Sequence, residues 1–103
     1  MKIVAVTACP AGVAHTYMAK KGLEKAAKKA GYKIKVETQG SMGIENEIKE
    51  KDLEVADIVI LAIDTKIDKS NRFDGMKVHE TSVAAAVKNA AKVIEDAVNK
   101  YKN

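Results

Sequence analysis

Apolar positions recur along this chain with two different periods. Lys2 to Thr7 (KIVAVT) is a short run rich in Val and Ile that ends in small residues, which predicts a buried strand. Between Ala14 and Ala30 the spacing becomes helical: Ala19, Leu23, Ala26 and Ala30 share one face, with lysines opposite. Gly31 then stands where a helix C-terminal glycine belongs. Lys33 to Thr38 (KIKVET) alternates polar and apolar residues, the pattern of a half-buried or edge strand. Gln39 to Gly43 reads as a loop, and Lys49 to Ala56 as a short helix. Asp57 to Ile63 (DIVILAI) is continuously apolar after its first residue and predicts a strand buried on both faces. Asp64 to Gly75 is polar and reads as a loop, and Met76 to Glu80 as a short strand. In the last stretch, Val83, Val87, Ala90, Ile94, Val98 and Tyr101 mark an amphipathic helix over Ser82 to Tyr101, with Thr81 or Ser82 as its cap and a break near Asn89.

The resulting order, β-α-β-α-β-β-α, implies parallel pairing through helical crossovers and hence an open α/β sheet covered by helices. A chain of 103 residues is expected to form a single domain, residues 1–103. In such sheets ligands bind beyond the carboxyl ends of the strands, where strand order reverses. Three loops leave those ends: Ala8 to Val13, Gln39 to Gly43, and Asp64 to Gly75.

Composition narrows the function. The net charge is +4, and Lys20, Lys21, Lys25, Lys28 and Lys29 suggest a basic patch. Nucleic-acid modules add exposed aromatics or a recognisable motif to such a stripe, whereas this chain has three Tyr, one Phe and no Trp, scattered along it. The lysines are expected to coat the solvated face of a helix, and no nucleic-acid partner is expected. The longest apolar run, Ile58 to Ile63, is strand-sized, so no membrane span is expected. The apolar segment after Met1-Lys2 is too short for a signal-peptide core, and the expected location is cytoplasmic. The single cysteine, Cys9, excludes an internal disulfide and a multi-thiolate zinc site.

Cys9 lies in the segment richest in chemistry, Thr7-Ala8-Cys9-Pro10-Ala11-Gly12-Val13-Ala14-His15-Thr16. A sulfur between a strand end and a helix start meets backbone N–H groups that have no intrahelical partner, and the positive end of the helix dipole. Small residues at Ala8, Ala11, Gly12 and Ala14 let a phosphate approach the backbone. Pro10 restricts the turn, and Gly12 permits torsion angles a larger residue resists. The same field favours the thiolate form of a sulfur placed there, and a thiolate beside a cradle of amides suits a phosphoryl group in transfer. The plainer alternative is a small buried hydrophobe without reactivity. Neither a G-x-x-x-x-G-K-[ST] loop nor a C-x-x-C pair is present, so nucleotide binding of that kind and a thioredoxin-like redox role are not expected. His15 alone suits a first-turn surface or capping residue, and His79 a structural one. The two histidines lack metal-ligand spacing to each other or to Cys9, and neither a metal nor a cofactor is expected. Asp64, ending the strongest strand, suits an acid, an anchor for its loop, or turn chemistry.

The loop resembles that of the IIB components of the fructose family of the bacterial sugar phosphotransferase system. The family pattern C-P-[TA]-G-[IV]-A-H-T stands here as Cys9-Pro10-Ala11-Gly12-Val13-Ala14-His15-Thr16, with Ala11 in place of the commoner threonine. Tyr17-Met18-Ala19, Val36-Glu37-Thr38-Gln39-Gly40-Ser41, Gly43, Asn46, Ala56-Asp57 and Arg72-Phe73 extend the resemblance over nearly the whole chain. It implies a doubly wound sheet of four parallel strands, order 2-1-3-4, with helices on both faces. It also implies that Cys9 takes a phosphoryl group from a phosphohistidine on a IIA partner and passes it to a sugar bound in the membrane-embedded IIC partner. Pro10, Ala11, Gly12, Val13, Ala14, His15 and Thr16 would then form the phosphate-binding loop, on a monomer that meets the inner face of the membrane through IIC. Two rivals remain. Low-molecular-weight tyrosine phosphatases have a similar loop, C-x5-R-[ST], but His15 stands where their phosphate-gripping arginine would be. A non-catalytic, phosphate-binding regulatory domain is the other.

Overall fold

The computed structural model describes residues 1–10, 13–40 and 43–102, with Val13 described by its backbone alone. Strand β1 (Lys2–Ala8) leads to helix α1 (Val13–Lys29), strand β2 (Lys33–Gly40) and the short strand β3 (Gly43–Glu45). Helix α2 (Glu50–Val55), strand β4 (Ile58–Ile63), a single 3₁₀ turn (Ser70–Phe73) and strand β5 (Val78–Thr81) follow. Helices α3 (Val83–Lys88) and α4 (Ala90–Lys102) end the described chain.

The strands form one sheet in the order β3-β2-β1-β4-β5. The pairs β1–β2, β1–β4 and β4–β5 are parallel, and β2–β3 is antiparallel. The expected four-stranded, all-parallel sheet of order 2-1-3-4 is thereby corrected to five strands with one antiparallel pair. The extra strand arises where a loop was expected from Gln39: β2 runs on to Gly40, and β3 folds back so that Gln39 faces Ile44 and Gly40 faces Gly43. This also removes β2 from the sheet edge. Its second half, Val36 to Gln39, is buried although three of those four residues are polar.

Alternate residues of the strands feed two cores. Ile3 and Ala5 of β1 and Ile58, Ile60 and Ala62 of β4 pack against α1, α3 and α4. Val4, Val6 and Val59 face the other way, onto Ile48, Phe73 and Leu53 of α2. The buried seam of α1 passes through Ala19, Leu23 and Ala27, so Ala30, expected on that face, is instead exposed. Spacings of four keep these residues in one row, and Gly22 beside them lets α1 approach closely. A Cβ there would lie 3.2 Å from the Ala86 carbonyl oxygen and 3.3 Å from the Ala90 Cβ. Gly31 adopts φ +84° and completes a Schellman end, with Tyr32 N–H donating to Ala27 O and Gly31 N–H to Lys28 O. The expected terminal helix divides at Asn89 (φ −153°, ψ 72°), and Ser82 caps α3 by accepting from Ala85 N–H at 3.1 Å.

Candidate functional site at the carboxyl ends of the strands

β1 carries the chain from the middle of the sheet to the edge where the three expected loops meet. In the parallel register Ala8 stands between Gln39 of β2 and Ile63 of β4, so Cys9 emerges directly beyond the central strand. The chain moves from β1 to β2 on one side and returns to β4 on the other, which makes the β1–β4 seam the point where strand order reverses. Asp64 N–H donates to Ala8 O at 2.9 Å and extends that seam to its rim. At the start of α1, the Thr7 hydroxyl donates to Thr16 O at 3.2 Å, tying the end of the strand to the helix's first turn.

Partly buried Cys9 borders two cavities. A polar one of about 330 Å³ is lined by Ala8, Cys9, Pro10, Gln39, Gly40, Thr65, Lys66 and Asp68, so all three expected loops contribute to it. A more apolar one of about 430 Å³ lies toward α3 and is lined by Cys9, His15, Asp64, Val83, Ala84, Val87 and Lys88. Of the residues singled out from sequence, Pro10 is exposed and shares the polar cavity, whereas exposed His15 shares the apolar one. Ala14 is exposed on the first turn of α1, and Thr16 is buried beneath it. Thr16 lines neither cavity of Cys9 but a narrow cleft with Tyr17, Thr38 and Glu45. Ala11, Gly12 and the Val13 side chain lie outside the described residues. The Asp64 carboxylate accepts from Val83 N–H at 3.2 Å, so it anchors the first turn of α3 to the end of β4.

Behind the polar cavity lies a buried network that sequence reasoning left without a role. Glu37, with no exposed surface, receives both terminal nitrogens of Arg72, at 2.8 and 2.5 Å. Ile48 N–H and the Gln39 amide complete the Glu37 carboxylate's partners, each at 2.8 Å. Gln39 then grips the backbone of Asp68, accepting from its N–H at 2.8 Å and donating to its carbonyl at 3.1 Å. The segment from Asp64 to Phe73 is therefore pinned at three places: on β1 through Asp64, on β2 through Asp68, and on β2 through Arg72. The Phe73 ring lies 4.7 Å from the guanidinium carbon and closes the network from the core side. The only sequence signal for it was the occurrence of Glu37, Gln39 and Arg72 among the residues that carry the family resemblance.

Comparison with known proteins agrees with this geometry. The family described as "PTS system, Lactose/Cellobiose specific IIB subunit" matches residues 4–96. The chain is 54% identical over 89 residues to the "PTS system fructose-like EIIB component 2" of Escherichia coli K12, covering 86% of this chain and 84% of that protein. The chain belongs to the fructose family of phosphotransferase-system EIIB components. It is also 50% identical over 98 residues to the fructose-specific EIIB'BC component of Rhodobacter capsulatus, covering 95% of this chain but 17% of that longer relative. Among solved structures, a domain of the fructose-specific IIABC component of Borrelia burgdorferi superposes with a TM-score of 0.89 at 53% identity, covering 95% of this chain and 93% of that one. The predicted fructose-specific IIB of Escherichia coli gives 0.93 at 33% identity, covering 99% and 90%. This membership supports a phosphotransferase-system role for the chain in general terms.

Proposed function

We propose that this EIIB chain is a single-domain cytoplasmic phosphocarrier and that Cys9 is its phosphorylated residue. In the first step the Cys9 thiolate attacks the phosphorus of a phosphohistidine on a IIA protein. The S–P bond forms as the N–P bond breaks, and the departing imidazole nitrogen keeps the electron pair and takes a proton. In the second step a sugar hydroxyl attacks that phosphorus, loses its proton, and returns the sulfur to its thiolate. Phosphoryl transfer of this kind depends on positioning and on charge compensation of the non-bridging oxygens. The loop from Pro10 to Thr16 supplies that compensation through its backbone N–H groups, Pro10 contributing only the turn. The sugar is fructose or a related hexose, as the names of the relatives suggest, and it is held by a IIC membrane protein. Fusion of EIIB to further components in the EIIB'BC relatives supports that pairing. No helix among the described residues is long and apolar enough to cross a membrane.

The observation that carries this reading is the position of the only thiol in the chain, at the carboxyl end of the central strand where strand order reverses. A phosphatase is disfavoured because His15 stands where an arginine would be needed to grip phosphate bidentately. Incubation with a phosphorylated IIA domain, followed by intact-protein and peptide mass spectrometry, tests the proposal. One phosphoryl group is expected on the Cys9 peptide, and none in Cys9→Ala.

A further inference from the structure

We propose that Lys66 is the side-chain cation that faces the phosphoryl group on Cys9, and that Gln39 is the positioning residue that holds it there. This inference rests on the phosphocarrier reading of Cys9. Lys66 is the one cationic residue among the described residues lining the polar cavity beside Cys9. Its ammonium makes no hydrogen bond or ion pair with a described residue, whereas Lys35 and Lys69 are engaged by Asp52 and Glu47. Asp68 lines the same cavity, and its negative charge works against an anion there. A phosphoryl dianion placed on Cys9 would therefore meet an acidic group, with only Lys66 to offset it among the described lining residues.

The backbone around Lys66 is constrained on both sides. Two residues before it, Asp64 N–H is bonded to β1, and two residues after it, Asp68 is held through both backbone groups by the Gln39 amide. Gln39 is in turn oriented by Glu37, which Arg72 holds with two nitrogens. A flexible, exposed lysine is thus mounted on a short span whose two ends are fixed to β1, the strand that delivers Cys9, and to its neighbour β2. Such mounting lowers the entropy cost of bringing the ammonium to the phosphoryl oxygens.

Because the chain has a single thiol, the field at Cys9 is readable without any transfer reaction. The probe is the ratio of Cys9 alkylation rates with iodoacetate, an anion, and iodoacetamide, its neutral analogue. Lys66→Met is expected to lower that ratio by about three- to tenfold, the effect of one nearby charge in a partly hydrated site. Lys66→Arg is expected to keep it, and Asp68→Asn to raise it. Gln39→Met is expected to lower the ratio when Lys66 is present and to add nothing in the Lys66→Met background, which separates positioning from general loosening. An unchanged ratio in Lys66→Met overturns the inference, and the exposed site makes misfolding of that variant no obstacle. Phosphoryl gain at Cys9 from a phosphorylated IIA domain is then timed for the same proteins, with slowing in Lys66→Met and recovery in Lys66→Arg expected. Absence of any gain in the parent chain would instead overturn the carrier reading, whatever the alkylation ratios show.

Discussion

Glu37 shows how far a single side chain departs from its sequence pattern. The alternation through Lys33–Thr38 puts it at a polar position of a half-buried strand, yet it has no exposed surface. What the pattern hides is Arg72, 35 residues further on, which neutralises the carboxylate with two hydrogen bonds. Removing one member leaves the other charged and buried, so Glu37→Gln or Arg72→Met is expected to cost about 3–5 kcal/mol in urea unfolding. Replacing both by apolar residues should cost less than the sum of the two single changes. Equal additivity would show that the pair is not coupled. Cys9 stood out in the sequence because it follows a Val/Ile-rich strand and precedes a run of small residues before a helix. Those residues alone left an inert, buried thiol as an open alternative, and it was the family resemblance that singled out the phosphocarrier reading. The placing of Gln39 and Lys66 around the same cavity was not legible. It follows from Gln39–Asp68 hydrogen bonds between the end of β2 and the loop after β4, which leave no trace in residue spacing.

The elements themselves were mostly visible in hydrophobic spacing, and the misses share a cause. β3 has three residues and no apolar run of its own; its pairing with β2 and the Tyr17 hydroxyl donated to Glu45 hold it in place. Tertiary partners of that kind leave no periodic trace. The break between α3 and α4 did leave one, at Asn89, whose side chain accepts from Lys92 N–H at 3.2 Å and starts α4. Asn89→Ala is therefore expected to lower stability by about 1 kcal/mol, measured by thermal or urea unfolding. The contact between α1 and the α3–α4 corner depends on the missing side chain of Gly22. Gly22→Val must push on the Ala86 carbonyl and Ala90, and a loss of about 1–3 kcal/mol is expected. Since Gly22 lines neither cavity of Cys9, the folded fraction of that variant should still accept a phosphoryl group.

For the molecule as a whole, two titrations make acid the destabilising direction. Hydrogen bonds from Lys35 and then from Lys49 N–H hold the Asp52 carboxyl below its ordinary value of 3.8. Its folded form thus binds fewer protons than the unfolded chain, and its stabilisation, present in full above 3.8, is lost as pH falls below that value and through the lower folded-state one. His79 is lowered from 6.5, chiefly by burial and next by Lys100, against an opposing effect of Asp96. The unfolded chain again binds the extra proton, so stability should already decline as pH drops below 6.5, before Asp52 titrates. His79→Gln should flatten the decline in urea midpoint between about pH 7 and 5, and a slope unchanged by the substitution would assign it to other groups. These effects surround a sheet whose central strand delivers one thiol to the seam where strand order reverses. The decisive measurement is time-resolved mass spectrometry of the chain with a phosphorylated IIA domain. The expected result is a single phosphoryl group that appears on Cys9 and then leaves when IIC and sugar are added. A phosphoryl group found on another residue, or one on Cys9 that IIC and sugar fail to discharge, would contradict it.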